Sequence, residues 1–149
     1  MRLYSTRVVL AILFLTVVGI QLLMHPIAGS AIEASVKIKP ETLNLEERGL
    51  ITAFIALPDP YNVSDIDVDT IKLHVKDAGD YVTPIRCIIA DGMFIAKFDA
   101  ANVADHILTN LVHMQIIPPQ TKHPIDLVIE GMVNEKAFEG SARIWVILP

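Results

Sequence analysis

Apolar residues alternate with polar ones in short runs along most of this chain, and a two-residue period lets a strand, not a helix, bury one face. Ser35 to Lys39 puts Val36 and Ile38 on one side, and Pro40 ends the run. Leu50 to Leu57 does the same with Ile51, Ala53, Ile55 and Leu57, stopping at Pro58 and Pro60. Thr70 to Lys76 sets Ile71, Leu73 and Val75 against Lys72, His74 and Lys76. Arg86 to Ala90 and Met93 to Asp99 flank Asp91-Gly92, a pair suited to the positive φ angles of a type I′ hairpin turn. Two further runs, Ile125 to Val133 and Ala137 to Leu148, are separated by Asn134, Glu135 and Lys136.

One stretch breaks the alternation. Asp99 to Leu108 offers an N-cap aspartate with Val103 and Ile107 at helical spacing, which predicts one short crossover helix. The front of Asn110 to Pro124 reads as a further strand, whereas Pro118, Pro119 and Pro124 argue for a loop in its second half and against a central strand. About seven short strands with turn signals between them predict an all-β fold, a two-sheet β-sandwich, with a partly closed barrel as the alternative.

The N-terminus has a different character. Val8 to Met24 reads VVLAILFLTVVGIQLLM, Arg2 and Arg7 precede it, and no charged residue follows before Glu33. Basic residues, a long apolar run and then small residues form an export signal, with the arginines staying in the cytoplasm. The run is long enough for a membrane-spanning helix over about residues 8–28. Gly29 and Ala31 suit a processing site, and Pro26 would interrupt the helix before it. Residues 1–31 are therefore expected to be a signal peptide, or failing cleavage a signal anchor, with residues 32–149 as an extracytoplasmic domain. A preceding hydrophobic helix, export, and membrane contact through this segment are the corresponding expectations.

Charge narrows the partners. The chain has 12 basic and 17 acidic residues; without Arg2 and Arg7 the basic residues fall to 10 and the net charge to −7. Such a domain repels phosphate backbones, which argues against nucleic acid. Cys87 is the only cysteine, so no disulfide within the chain holds the fold.

The segments Ile38-Lys-Pro-Glu-Thr-Leu-Asn-Leu45, Ile51 to Pro58 and Tyr61 to Leu73 resemble a small β-sandwich domain of secreted archaeal and bacterial proteins; Lys97 to Asp99 and Phe138 to Ser141 resemble its later motifs. The resemblance covers most of residues 35–148. It implies an immunoglobulin-like accessory domain outside the cell, and it brings no catalytic residues with it.

Several side chains are candidates for chemistry. Asp65, Asp67 and Asp69 alternate, so an extended segment places them on one side, where clustered carboxylates suit calcium. The glycine and distal glutamate of an EF-hand loop are missing, and the expected reading is a solvated acidic face. His74, His106, His113 and His123 match no zinc spacing. Cys87, among apolar neighbours, is expected to be a buried, inert thiol. Asn62-Val63-Ser64 is an N-glycosylation sequon in a loop. Trp145 should face away from a core formed by Ile144, Val146 and Leu148. Packing beneath residues 110–124 is its expected role, and a sugar- or protein-binding platform is the alternative.

No nucleophile elbow or metalloprotease helix motif is present, and no acid–base pair can be named, so a non-enzymatic domain is expected. Its expected role is structural or protein-binding at the cell surface, with an envelope protein or polysaccharide as partner. A carbohydrate-binding module using Trp145 and a calcium-stabilised adhesion module are the alternatives.

Overall fold

A computed structural model describes residues 29–46, 48–113 and 122–147. The expected N-terminal helix over about residues 8–28 lies outside this range. Among the described residues no helix is long and apolar enough to cross a membrane.

Among the described residues nine strands form two sheets: β1 (Ile32–Glu33), β2 (Ser35–Lys39), β3 (Thr42–Asn44), β4 (Leu50–Ala56), β5 (Ile66–Val75), β6 (Arg86–Ala90), β7 (Met93–Asp99), β8 (Lys122–Val133) and β9 (Lys136–Ile147). One sheet runs β1-β9-β8-β5, with β3 also on β9; the other runs β2-β4-β7-β6. The strands pair antiparallel except β1 and β3, which lie parallel to β9. Ile51, Ala53, Ile55, Phe94, Ala96 and Phe98 from one sheet and Ile71, Leu73, Leu127, Ile129, Phe138, Ile144 and Val146 from the other share a single core. These are the alternating positions of the sequence, so each sheet buries one face, as period-two patterning requires.

The N-terminal strands lace one side of this two-layer fold. The chain runs along β9 as β1, changes sheet at the buried Ala34, pairs with β4 as β2, and returns to β9 as β3. Crossing there demands close backbone approach. A Cβ on Gly140 would lie 2.3 Å from the Ala34 carbonyl oxygen, so only glycine leaves room for the Ala34 N–H to reach Glu139 O at 2.7 Å.

Both hairpin turns have two residues in left-handed geometry. Asp91 and Gly92 have φ of 52° and 71°, as expected. The second is tighter than the sequence suggests: Lys136 already pairs with Val133, leaving Asn134 and Glu135 at φ 48° and 64°.

Two expectations need correction. The helix α1 spans Ala100–His113, longer than the stretch ending at Leu108, and no strand occupies Asn110 to His113. Its apolar positions Val103, Ile107 and Leu111 continue at four-residue spacing and are all buried, while the Asp99 side chain accepts from Asn102 N–H at the N-terminus. Pro124, placed in a loop by its sequence, belongs to β8. Trp145, its cross-strand partner on β9, sends its N–H away from β8 to Glu41 O at 2.8 Å. The pair is thus one that shares no ladder hydrogen bond. Pro124 nitrogen faces the other side, where β5 has ended with Val75 opposite Leu127, so no donor is missed.

Candidate functional site

Strand register decides which polar side chains meet. On the outer face of the β2-β4-β7-β6 sheet the first cross-strand row reads Lys39, Thr52, Lys97, Arg86 and the second Lys37, Phe54, Ile95, Ile88. Ser35 beside Ala56, and Met93 beside Ala90, continue the face. It carries four cations in a protein of net charge −5, and its one strand carboxylate, Asp99, lies at the far end beside Leu50 and accepts from Asn102 N–H. Lys39 pairs with Glu41; among the described residues Lys37, Arg86 and Lys97 have no ion pair. Phe54, Ala56 and Met93 floor a shallow groove of about 440 Å³, bordered by Ser35, Lys37 and Lys39. Ile95 lies outside the shared core yet is only 9% exposed, so its apolar neighbours on this face cover it.

The outer face of the other sheet mixes charge. Glu33, Glu139, Glu130 and Lys72 form one row. Asp126 and Arg143 form another, joined by Arg143 Nε and Nη2 donating to the two carboxylate oxygens at 2.7 and 3.0 Å. That guanidinium holds the Asp126 carboxyl below the usual carboxylate range, and the carboxylate raises Arg143 in turn. Trp145 sits one row further on, between Thr42 and Pro124, and is 44% exposed. It faces away from Ile144 and Val146, as the alternation requires. Packing beneath residues 114–121 lies outside the described residues.

The three aspartates do not share one element. Asp65 ends a 3-10 turn (Val63–Asp65), and its carboxylate accepts from Asn134 Nδ2 at 3.3 Å. Asp67 and Asp69 lie on β5, whose register slips between Asp67 and Lys72, and Asp67 Oδ1 accepts from Asp69 N–H. All three are exposed, and among the described residues no three His, Cys, Asp or Glu side chains converge to hold a metal ion.

Asn62 is exposed ahead of the 3-10 turn, with its side-chain oxygen accepting from Ser64 N–H at 2.9 Å. Cys87 is half-buried on β6 rather than fully buried, and desolvation pushes its thiol above the ordinary value.

The buried polar centre was not legible in the sequence. His106, 6% exposed, is the only buried polar side chain among the described residues. Its Nε2 accepts the Val75 N–H at 2.9 Å, so Nδ1 carries the proton and donates to Asp80 Oδ2 at 2.9 Å. Asn110 donates to Asp80 Oδ1 and to His106 O. Its amide, followed by His106, holds the Asp80 carboxyl below the usual range. The His–Asp pair resembles half of a catalytic triad, but the nitrogen that would move a proton is occupied by a backbone amide. This arrangement fastens α1 to the end of β5. His74 lies on the opposite side of β5, with Nε2 3.8 Å from Glu130, so these two histidines share no site.

Comparison with protein families, curated proteins and solved structures finds no match.

Proposed function

We propose that this chain is a non-enzymatic, extracytoplasmic interaction domain, exported by its N-terminal segment, that binds an acidic protein segment of the cell envelope on the outer face of the β2-β4-β7-β6 sheet. One observation carries the reading: four cations border an apolar floor of Phe54, Ile88, Ile95 and Met93 in an otherwise acidic protein, and the nearest carboxylates, Glu41 and Asp99, stand only at the Lys39–Lys97 end. Segregated charge steers an oppositely charged partner and fixes its register, while the apolar floor supplies the area that slows its release. The immunoglobulin-like character suggested by the sequence accords with two sheets around one core, an architecture that leaves whole sheet faces free for such contacts.

The test uses the full-length protein and a labelled peptide of alternating glutamate and leucine, with a glutamine–leucine peptide as control. Fluorescence anisotropy should show binding of the acidic peptide alone, weakened at least tenfold, about 1.4 kcal/mol, by K37E/K97E. Equal binding of both peptides, or no effect of K37E/K97E, rejects this face as the site.

A second reading keeps one specific observation: Trp145 is half-exposed on the outer sheet face beside the Arg143–Asp126 pair, a placement that suits stacking on a sugar ring. If W145A, and not K37E/K97E, abolishes retention on envelope polysaccharide, carbohydrate binding replaces the protein-binding reading.

A further inference from the structure

The sheet edges differ in how they are protected against pairing with another chain. β1 and β3, with two and three residues, offer little backbone to pair. β2 presents Lys37 and Lys39, which would oppose like charges on a second copy. β5 is capped by Val82, whose N–H and carbonyl exchange hydrogen bonds with Leu73 at 2.7 and 2.9 Å, and its other end carries the register shift with Asp67 and Asp69. β6 carries a single charged residue, Arg86 at its start, and otherwise none of these devices. Ala90 and Met93 flank a two-residue turn, so Ala90, Ile88 and Arg86 bond to β7, and the N–H and carbonyl groups of Cys87 and Ile89 point outward. Among the described residues no backbone group bonds to them from that side. Ile89 shares the core-facing side of the sheet with Phe94, its partner on β7, yet is 52% exposed, and Ile85 beside the strand is 60% exposed.

We propose that two copies of the chain join through antiparallel pairing of their β6 strands, centred on Ile88. The parity of the strand selects this register. Cys87 and Ile89 both present outward groups, so Cys87 of one copy faces Ile89 of the other in a hydrogen-bonded pair, repeated by the two-fold axis to give four backbone hydrogen bonds. Ile88 then meets its own counterpart on the outer face, and Ile89 is covered by its new neighbours. Charge agrees with this direction: Arg86 begins the strand and Asp91 follows it, so antiparallel pairing brings each arginine to the end that carries the other copy's aspartate. A second copy is therefore the favoured occupant of this edge over an unrelated strand. The inference stands independently of the peptide-binding reading.

Cysteine placement tests the register in the full-length chain in detergent solution. In a C87A background, I88C puts the two introduced cysteines directly opposite, with Cα atoms roughly 4.5 Å apart, within disulfide reach. I89C puts them on a diagonal, roughly 7–8 Å apart and beyond it. Mild oxidation should convert most C87A/I88C to a disulfide-linked dimer on a non-reducing gel and leave C87A/I89C monomeric. Adding I89K, a charge on the open edge, should lower the I88C dimer yield several-fold while a cooperative thermal melt shows the fold intact. A monomeric C87A/I88C overturns the proposal, and equal cross-linking at both positions, the mark of random collision, overturns it too.

Discussion

The backbone N–H of Val75 donates to Nε2 of His106 across 2.9 Å, tying the last residue of β5 to a helix 31 positions further along the chain. The bond closes a polar network that is buried at His106 and reaches solvent at Asp80, with Asp80 and Asn110 on the other side of the ring. Removing the ring leaves a buried donor unsatisfied and opens a cavity. H106A should therefore lower unfolding stability by about 2–4 kcal/mol. In H106Q a side-chain oxygen can still accept from Val75, and chemical denaturation should place it between H106A and the parent. Equal losses in the two variants would mean that packing alone, not this bond, accounts for the effect.

Acid should weaken the same region. The Asp80 carboxyl is held down by the Asn110 amide and then by His106, so its pKa is lower in the folded state than in the unfolded one. A depressed carboxyl stabilises the fold above its unfolded value, and the contribution disappears as pH falls through the folded one. The effect therefore belongs to the range from about pH 4 downward. Thermal melts of D80N should be less stable than the parent near neutrality and lose less between there and pH 3. Parallel curves would remove Asp80 from the acid limb.

Two buried glycines should respond differently to alanine. The new Cβ at position 140 meets the Ala34 carbonyl at 2.3 Å, a backbone atom in the sheet-changing strand, whereas at position 131 it meets side-chain tips of Ile71 and Phe138 at 2.8 Å. Side-chain tips can rotate and the carbonyl cannot without moving β1 and β2. G140A should cost about 3 kcal/mol or more and G131A roughly 1–2 kcal/mol. The reverse order in denaturant midpoints would contradict this account of the crossing.

The β8–β9 turn holds Glu135 at φ 64°, a conformation that disfavours a side chain with Cβ. E135G creates the Asn-Gly pair preferred in type I′ turns and should stabilise the protein by roughly 0.5–1 kcal/mol, net of the added freedom of the unfolded chain. A fall in melting temperature would show that Glu135 makes a compensating contact.

Calcium should have little effect. Asp65, Asp67 and Asp69 are exposed, the Asp65 and Asp67 carboxylates each accept a separate hydrogen bond, and among the described residues no three metal-ligating side chains converge. Millimolar calcium should leave the melting temperature within one degree of the value in chelator, where saturation of a folded-state site would raise it by several degrees. Such a rise would revive the adhesion reading.

The sequence by itself determined the strands that bury one face, because a two-residue period in Leu50 to Leu57 or Thr70 to Lys76 is a local property and the core needs only one face of each. It determined the Asp91-Gly92 turn for the same reason, since two positive φ angles are a matter of residues adjacent in the chain. Trp145 could likewise be turned away from the core by counting from Ile144 and Val146. Tertiary structure decided what local pattern cannot encode. The helix runs through Asn110 because that side chain is satisfied by Asp80 and His106, and Pro124 enters a strand because the neighbouring strand ends before reaching it. The cationic face is made from four strands between Ser35 and Lys97, so it exists only once register aligns them. Contacts between residues distant in sequence depend on which strands become neighbours, and that is settled by burial of the whole core rather than by any one segment.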